Sequence, residues 1–192
     1  KILVPTVDTE RFSYMFLLIS SRRKIPVMFC GESGTAKSVI IQNFLNTINY
    51  EEDVKNRKLE YAKLNINFSS RTNAMDIYKI LDDNLDKKSG RIYGPKQIGK
   101  TLMVFVDDLH MPRVDKYGTQ QPIAFLKFLI EKKYMYERGG NLDPRFVKDT
   151  QFLGALLPPG GGINRVDPRF ITLFSVFNIS FPPQETVEKI YS

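Results

Sequence analysis

Apolar positions along the chain fall into two kinds of run: short blocks dense in Val, Ile, Phe and Met, and longer stretches where apolar residues recur every three or four positions. The first kind predicts buried strands and the second amphipathic helices. Residues 25–30 (IPVMFC) read as a buried strand, and TAKSVIIQNFLNTI as the helix after it. Residues 63–68 (KLNINF) form a β-branched strand, followed by SSRTNAMDIYKILDDNL, a helix that Ser69 or Ser70 can cap. In it Ala74, Ile77, Tyr78, Ile80, Leu81 and Leu85 lie near helical spacing. DKKSGRIYGPKQIGK, rich in Gly and Lys, reads as an exposed loop or hairpin, and TLMVFVDD as a central strand ending in two carboxylates.

PIAFLKFLIEKKYMYE is a helix with Pro122 in its first turn, and TQFLGALL is a strand stopped by Pro158 and Pro159. DPRFITLF predicts a short helix, SVFNISF a last strand, and PPQETVEKIYS the opening of another helix. The alternation predicts an α/β fold, a sheet layered with helices. No internal repeat or low-complexity tract interrupts it, and PPGGG at 158–162 is its sharpest punctuation.

A length of 192 residues with 42% hydrophobic content fits one domain with a sizeable core. The 28 Lys and Arg outnumber the 21 Asp and Glu, for a net charge of +7, which suits a polyanion such as nucleotide phosphate or nucleic acid. The basic residues are scattered, however, apart from short runs at 22–24 and 57–58. Without a Lys/Arg stripe interleaved with aromatics, no nucleic-acid partner is expected. Cys30 is alone and so is His110, so neither an internal disulfide nor a Cys/His metal cluster is expected, and the chain reads as intracellular. No run reaches the roughly 18 apolar residues of a membrane span, no signal peptide opens the chain, and no membrane partner is expected. The abrupt start in KILVPTVDT and the stop inside a new helix are what an excised piece of a longer protein would show.

GESGTAKS at 31–38 nearly spells the phosphate-binding pattern G-x-x-x-x-G-K-[ST], with Ala36 in place of the second glycine. Such a loop turns backbone N–H groups inward around an anion at a helix N-terminus, which needs glycines that tolerate unusual φ and close approach. Gly31 and Gly34 can serve here. Lys37 would reach the β- and γ-phosphates and Ser38 would ligand Mg2+, with Glu32, Ser33, Thr35 and Ala36 completing the loop under the phosphates. Ala36 is tolerable if its φ is already helical. A Gly-rich strand-to-helix turn can also be purely structural.

About 70 residues downstream, the usual interval for the acidic strand of P-loop proteins, lie Asp107 and Asp108. Asp107 would hold Mg2+ through water. Asp108 stands where many ATPases carry a Glu that polarises the attacking water, and it is one methylene shorter. The alternative is a strand-end turn with two solvated carboxylates.

Taken together, GESGTAKS, NINFSSRTNAMDIYKILDDNLDKKSGRIYGP, MVFVDDLHMPRVDKYGTQQPIAFLK and PPGGGINRVDPRFITLFSVFNI resemble the third AAA+ module of dynein heavy chains, especially axonemal ones, over essentially the whole chain. The resemblance implies a three-layer P-loop (AAA+) fold with a mainly parallel central sheet flanked by helices. The chain, 1–192, would be the large subdomain of one of six modules in a ring, with the small helical lid subdomain lying beyond Ser192. ATP or ADP with Mg2+ would be the ligands, and slow ATP hydrolysis regulating the motor site the activity. A non-hydrolytic nucleotide-binding module of the ring is the other reading, and the isolated fragment is expected to turn over little or no ATP.

Implied partners are the neighbouring modules and, through other parts of the heavy chain, intermediate and light chains and microtubules, in the cytoskeleton of a cilium or flagellum. Val4 and Pro5 of ILVPT would pack near the adenine, or simply join the core. Arg169 of VDPRF matches the arginine such modules present across an interface to the neighbour's phosphates, or is a surface arginine at a helix start. The family's polar sensor position falls at or near Leu157, which can orient no water. Asn164 is the candidate substitute for it.

Overall fold

The computed structural model describes residues 4–22, 24–47, 61–160 and 163–191. The 57–58 basic pair, Ile2 and Leu3, Arg23, Gly161 and Gly162 lie outside these. The described elements run α1 (Val7–Leu17), a π-helical turn (Leu18–Arg22), β1 (Val27–Gly31), α2 (Lys37–Thr47), β2 (Tyr61–Asn67) and α3 (Ala74–Asp82). Next come β3 (Leu85–Ser89), β4 (Ile92–Pro95), β5 (Thr101–Asp107), α4 (Gln121–Lys132), β6 (Tyr134–Tyr136) and β7 (Pro144–Val147). The chain continues through β8 (Thr150–Leu156), α5 (Pro168–Ile171), β9 (Ser175–Ile179) and α6 (Gln184–Tyr191).

Five strands form one parallel sheet in the order β2-β5-β8-β1-β9. Because successive side chains alternate faces, β5 sends Met103 and Phe105 to one side and Leu102, Val104 and Val106 to the other. The first pair joins Phe16, Ile40, Ile41, Phe44 and Leu45 of α1 and α2. The second set joins Ile77, Leu81, Leu126, Leu129 and Phe170 of α3, α4 and α5. Both faces are therefore covered, as an all-parallel sheet requires, and the result is the three-layer α/β arrangement expected. The TLMVFVDD strand is interior, with β8 at the centre of the sheet.

Three expectations need correction, the first being Leu85, which opens β3 because α3 ends at Asp82. The helix beginning at Pro122 ends at Lys132: Lys133 takes a left-handed φ of 60°, and Tyr134–Tyr136 turns into a strand paired antiparallel with β7. The aromatic side chains explain this, since Tyr134 packs edge-on to Phe128 and against Phe146, which a continuing helix would forgo. The cap of α3 is Asn73 and neither Ser69 nor Ser70: Asn73 Oδ1 accepts from Asp76 N (3.0 Å) while Asp76 Oδ2 accepts from Asn73 N (2.9 Å). Ser69 is instead held in a local turn by Thr72. Helix α1, with no expectation attached, starts at a Thr6/Thr9 capping box.

The segment 86–100 is a hairpin, as its composition implied, and β3 and β4 join β7 and β6 in a second, four-stranded sheet. Arg145 on β7 fastens that sheet to the body by bridging Asp82 of α3 and Glu137, with its guanidinium 4.8 Å from the Tyr93 ring centre.

Candidate nucleotide-binding site

The site lies where parallel α/β sheets place ligands, beyond the carboxyl ends of neighbouring strands, here β1, β5 and β8. Between Gly31, the last residue of β1, and Lys37, the first of α2, the chain makes a tight turn. Glu32 O holds it together, accepting from Thr35 Oγ1 (2.9 Å) and from Lys37 Nζ (2.6 Å). Thr35 is buried beneath the loop, and Lys37 is only 9% exposed. The two glycines are needed for different reasons. Gly34 has φ of 88°, whereas a Cβ on Gly31 would overlap the carbonyl oxygen of Ile179 on the adjacent strand.

Ala36 does not meet the condition under which alanine is free of strain. Its φ is 63°, left-handed rather than helical, so the consensus glycine at this position answers to backbone conformation. Alanine there carries a strain of about 1–2 kcal/mol. Its methyl group packs against the core cluster on the α1/α2 face, which offsets part of that cost.

Opposite the loop, β5 ends at Asp107, whose Oδ1 accepts from Asp108 N (3.0 Å). Asp108 also has a left-handed φ, 56°. The next residue, Leu109, is buried and donates its N–H to Ala155 O on β8 (3.2 Å), which fixes the exit from the strand.

Loop and strand ends enclose a cleft of about 400 Å³ lined by Ser33, Gly34, Ala36, Lys37, Ser38, Val39, Asp107, Asp108, Ala155, Leu156 and Leu157. Burial lowers the Lys37 pKa, opposed by Asp107; burial and the neighbouring Asp107 charge raise that of Asp108. His110, buried behind Asp108, has its pKa lowered by burial.

This arrangement fits a nucleotide phosphate chain. Lys37 Nζ meets only neutral oxygens, a carbonyl and the Thr35 hydroxyl, and among the described residues no carboxylate forms an ion pair with it. A buried cation with no carboxylate in direct contact favours an anion in the cleft it lines. The first N–H groups of α2 have no intrahelical acceptors and stand at the same place. Ser38 and Asp107 share the cleft and supply the hard oxygen donors that Mg2+ takes.

Seven of the residues singled out in the sequence therefore line one cleft: Ser33, Gly34, Ala36, Lys37, Ser38, Asp107 and Asp108. Leu157, at the sensor position, faces it too. Gly31, Glu32 and Thr35 shape the loop from below or outside. Val4 is half-buried and Pro5 exposed, and neither is among the lining residues. Arg169 sits exposed on α5, away from the cleft. Asn164 does not replace the sensor, because its amide donates to Pro112 O (3.1 Å) and it does not line the cleft. Val39, Ala155 and Leu156 were missed; the two β8 residues become legible once β8 is known to lie between β1 and β5.

Comparison with known proteins gives a consistent picture. A family model described as "P-loop containing dynein motor region" matches residues 1–182. The dynein-1-alpha heavy chain of the flagellar inner arm I1 complex of Chlamydomonas reinhardtii is 49% identical over 191 residues, all of this chain and 4% of that one. Human dynein axonemal heavy chain 10 is 50% identical over the same span, again 4% of its length. Rat dynein axonemal heavy chain 12 is 37% identical over 191 residues, 6% of its length. The chain thus spans a small fraction of each of these relatives.

Proposed function

Given that the chain belongs to the P-loop dynein motor region family, we propose that it binds Mg-ATP or Mg-ADP at the head of α2 as one module of a motor heavy chain. In this reading it is the large subdomain of the third AAA+ module. It hydrolyses ATP slowly and regulates the heavy chain's main motor site, in the axoneme of a cilium or flagellum. Intermediate and light chains and microtubules engage other parts of the same protein. The observation that carries the reading is Lys37, a buried ammonium hydrogen-bonded only to neutral oxygens, lining one cleft together with Ser38 and Asp107.

Each residue has a task. The loop N–H groups and Lys37 cradle the β- and γ-phosphates. Ser38 and Asp107 would hold Mg2+, which neutralises phosphate charge. Asp108 orients the attacking water and accepts its proton, a role its raised pKa favours. Arg169, exposed on α5, serves the phosphates of the adjoining module.

In the intact heavy chain, Lys37→Ala removes a charge-assisted contact of about 1.5–3 kcal/mol. Nucleotide affinity at this module should fall by roughly tenfold to a hundredfold. Unchanged occupancy after that substitution would sink the proposal. A second reading, binding without hydrolysis, is favoured by Leu157, which presents a hydrocarbon where a polar group would meet the γ-phosphate.

A further inference from the structure

The Asp107–Asp108 end of the cleft and the loop bearing Arg169 meet at one buried point, the carbonyl oxygen of Pro112. That oxygen accepts from Gln120 Nε2 (2.8 Å) and from Asn164 Nδ2 (3.1 Å), which fills both of its lone pairs. On one side, Met111 N donates to Asp108 O (2.9 Å), closing residues 108–111 into a turn that begins at the left-handed Asp108 and delivers Pro112. On the other, Asn164 opens the short stretch to α5. Val166 is buried, Asp167 Oδ1 accepts from Arg169 N (2.9 Å), and Phe170 is fully enclosed. The backbone of Arg169 is thereby fixed while its side chain stays exposed. Gln120 stands at the start of α4, and Lys127 of the same helix pairs with Asp167 (3.1 Å), so α4 is tied to both segments.

Among the described residues, two buried polar atoms on this relay, Gln120 Oε1 of the amide that meets Pro112 and His110 Nδ1 within the 108–111 turn, have no hydrogen-bond partner. Most buried polar atoms are satisfied, so these two leave hydrogen-bonding capacity free for a second arrangement.

We propose that Asn164 and Gln120 are positioning residues which, by sharing the Pro112 carbonyl, couple the nucleotide at this module to the presentation of Arg169 toward its neighbour. The inference rests on the proposed nucleotide site. A shift of Asp108 when phosphate enters the cleft is passed through the closed turn to Pro112, and from there through the Asn164 amide to the segment carrying Arg169.

Hydrogen exchange on the intact heavy chain, with and without Mg-AMPPNP, tests it in wild type, Lys37→Ala and Asn164→Asp. The last substitution keeps the size of the side chain and removes the amide donor; Asn164→Ala, which removes the donor without adding charge, checks that the result is not due to the new carboxylate. In wild type, nucleotide should change exchange in residues 163–174 by about fivefold or more, the low end of ordinary coupling between sites. Lys37→Ala should abolish that change. Both Asn164 variants should abolish it too while leaving nucleotide affinity and the response of 107–112 intact, which a merely structural role for Asn164 would not do. Persistence of the 163–174 response in the Asn164 variants overturns the coupling, as does its absence in wild type whose nucleotide binding depends on Lys37. Nucleotide occupancy indifferent to Lys37→Ala overturns instead the site itself.

Discussion

The two walls of the cleft differ in how far they keep the chemistry of a phosphate-cleaving site. The loop wall retains a buried Lys37, Ser38, a positive-φ Gly34 and a Gly31 locked against β9, with Ala36 as its only departure. The opposite wall keeps Asp107 but has the shorter Asp108 on a left-handed backbone and Leu157 at the end of β8. Binding a phosphate chain uses backbone N–H groups and one cation, which sheet geometry and glycine provide cheaply. Cleaving it needs side chains of the right length and polarity, and that is where this chain departs from the pattern expected of an ATPase. The difference separates retention of nucleotide from turnover as two properties that substitution can move independently.

The largest expected effect lies on the loop wall. Gly31→Ala places a methyl group into the Ile179 carbonyl, a backbone atom that moves only if β9 moves. The cost should be about 3 kcal/mol, the upper end of ordinary overpacking, read by chemical denaturation. A loss below about 1 kcal/mol would show that β1 and β9 part readily and that the loop is not anchored as described.

On the opposite wall, Leu157→Asn restores a polar group facing the cleft. In the intact heavy chain, turnover at this module should rise about tenfold, the rate equivalent of about 1.4 kcal/mol, with nucleotide affinity little changed. Unaltered turnover would favour the non-hydrolytic reading and would shift the deficiency onto Asp108. Smaller again is Ala36→Gly, which relieves the left-handed strain but forfeits the methyl contact and adds freedom to the unfolded chain. The balance should be a gain of less than about 1 kcal/mol in stability, and a loss would mean the methyl packing and chain entropy outweigh the strain.

Much of this arrangement was legible in the residues themselves. Apolar blocks located β1, β5 and β8 because the interior strands of a parallel sheet covered on both faces demand continuous apolar runs, alternating β-branched and aromatic residues located the edge strands β2 and β9, and strand-end carboxylates after TLMVFV marked the second wall. Other features depended on contacts distant in sequence. The YMY segment is a strand only because Phe128 and Phe146 are there to receive its rings, and Asn73 outcompetes Ser69 because Asp76 reciprocates its bond. The φ of Ala36, on which its tolerability hung, was not legible because a residue just before a helix can close the turn from either hand, and only the path of the loop decides. Nothing local to Asn164 tells that its amide is committed to Pro112, 52 residues earlier.

Asp108 lets the proposed reaction and the stability of the fold be read on one side chain, because the raised pKa that would suit it to the first costs the second. Its pKa is raised above the usual carboxylate value of 3.8, first by burial and then by Asp107. The folded state therefore holds that proton more tightly than the unfolded chain does. The resulting stabilisation is full below about pH 3.8 and is lost as pH rises through the elevated folded value. At neutral pH the ionised Asp108 is a slight burden that Asn lacks, slight because solvent reaches the side chain and screens its charge, and Asn also tolerates the left-handed φ of 56°. Asp108→Asn should therefore raise the melting temperature modestly at pH 7, with the difference shrinking toward zero as the pH is lowered through 4. The same substitution should slow turnover in the intact heavy chain, since an amide accepts no proton from water. A variant less stable at pH 7 would mean that Lys37, which favours the ionised form, dominates over burial and Asp107; one with unchanged turnover would take Asp108 out of the proposed reaction and leave the cleft as a site of retention.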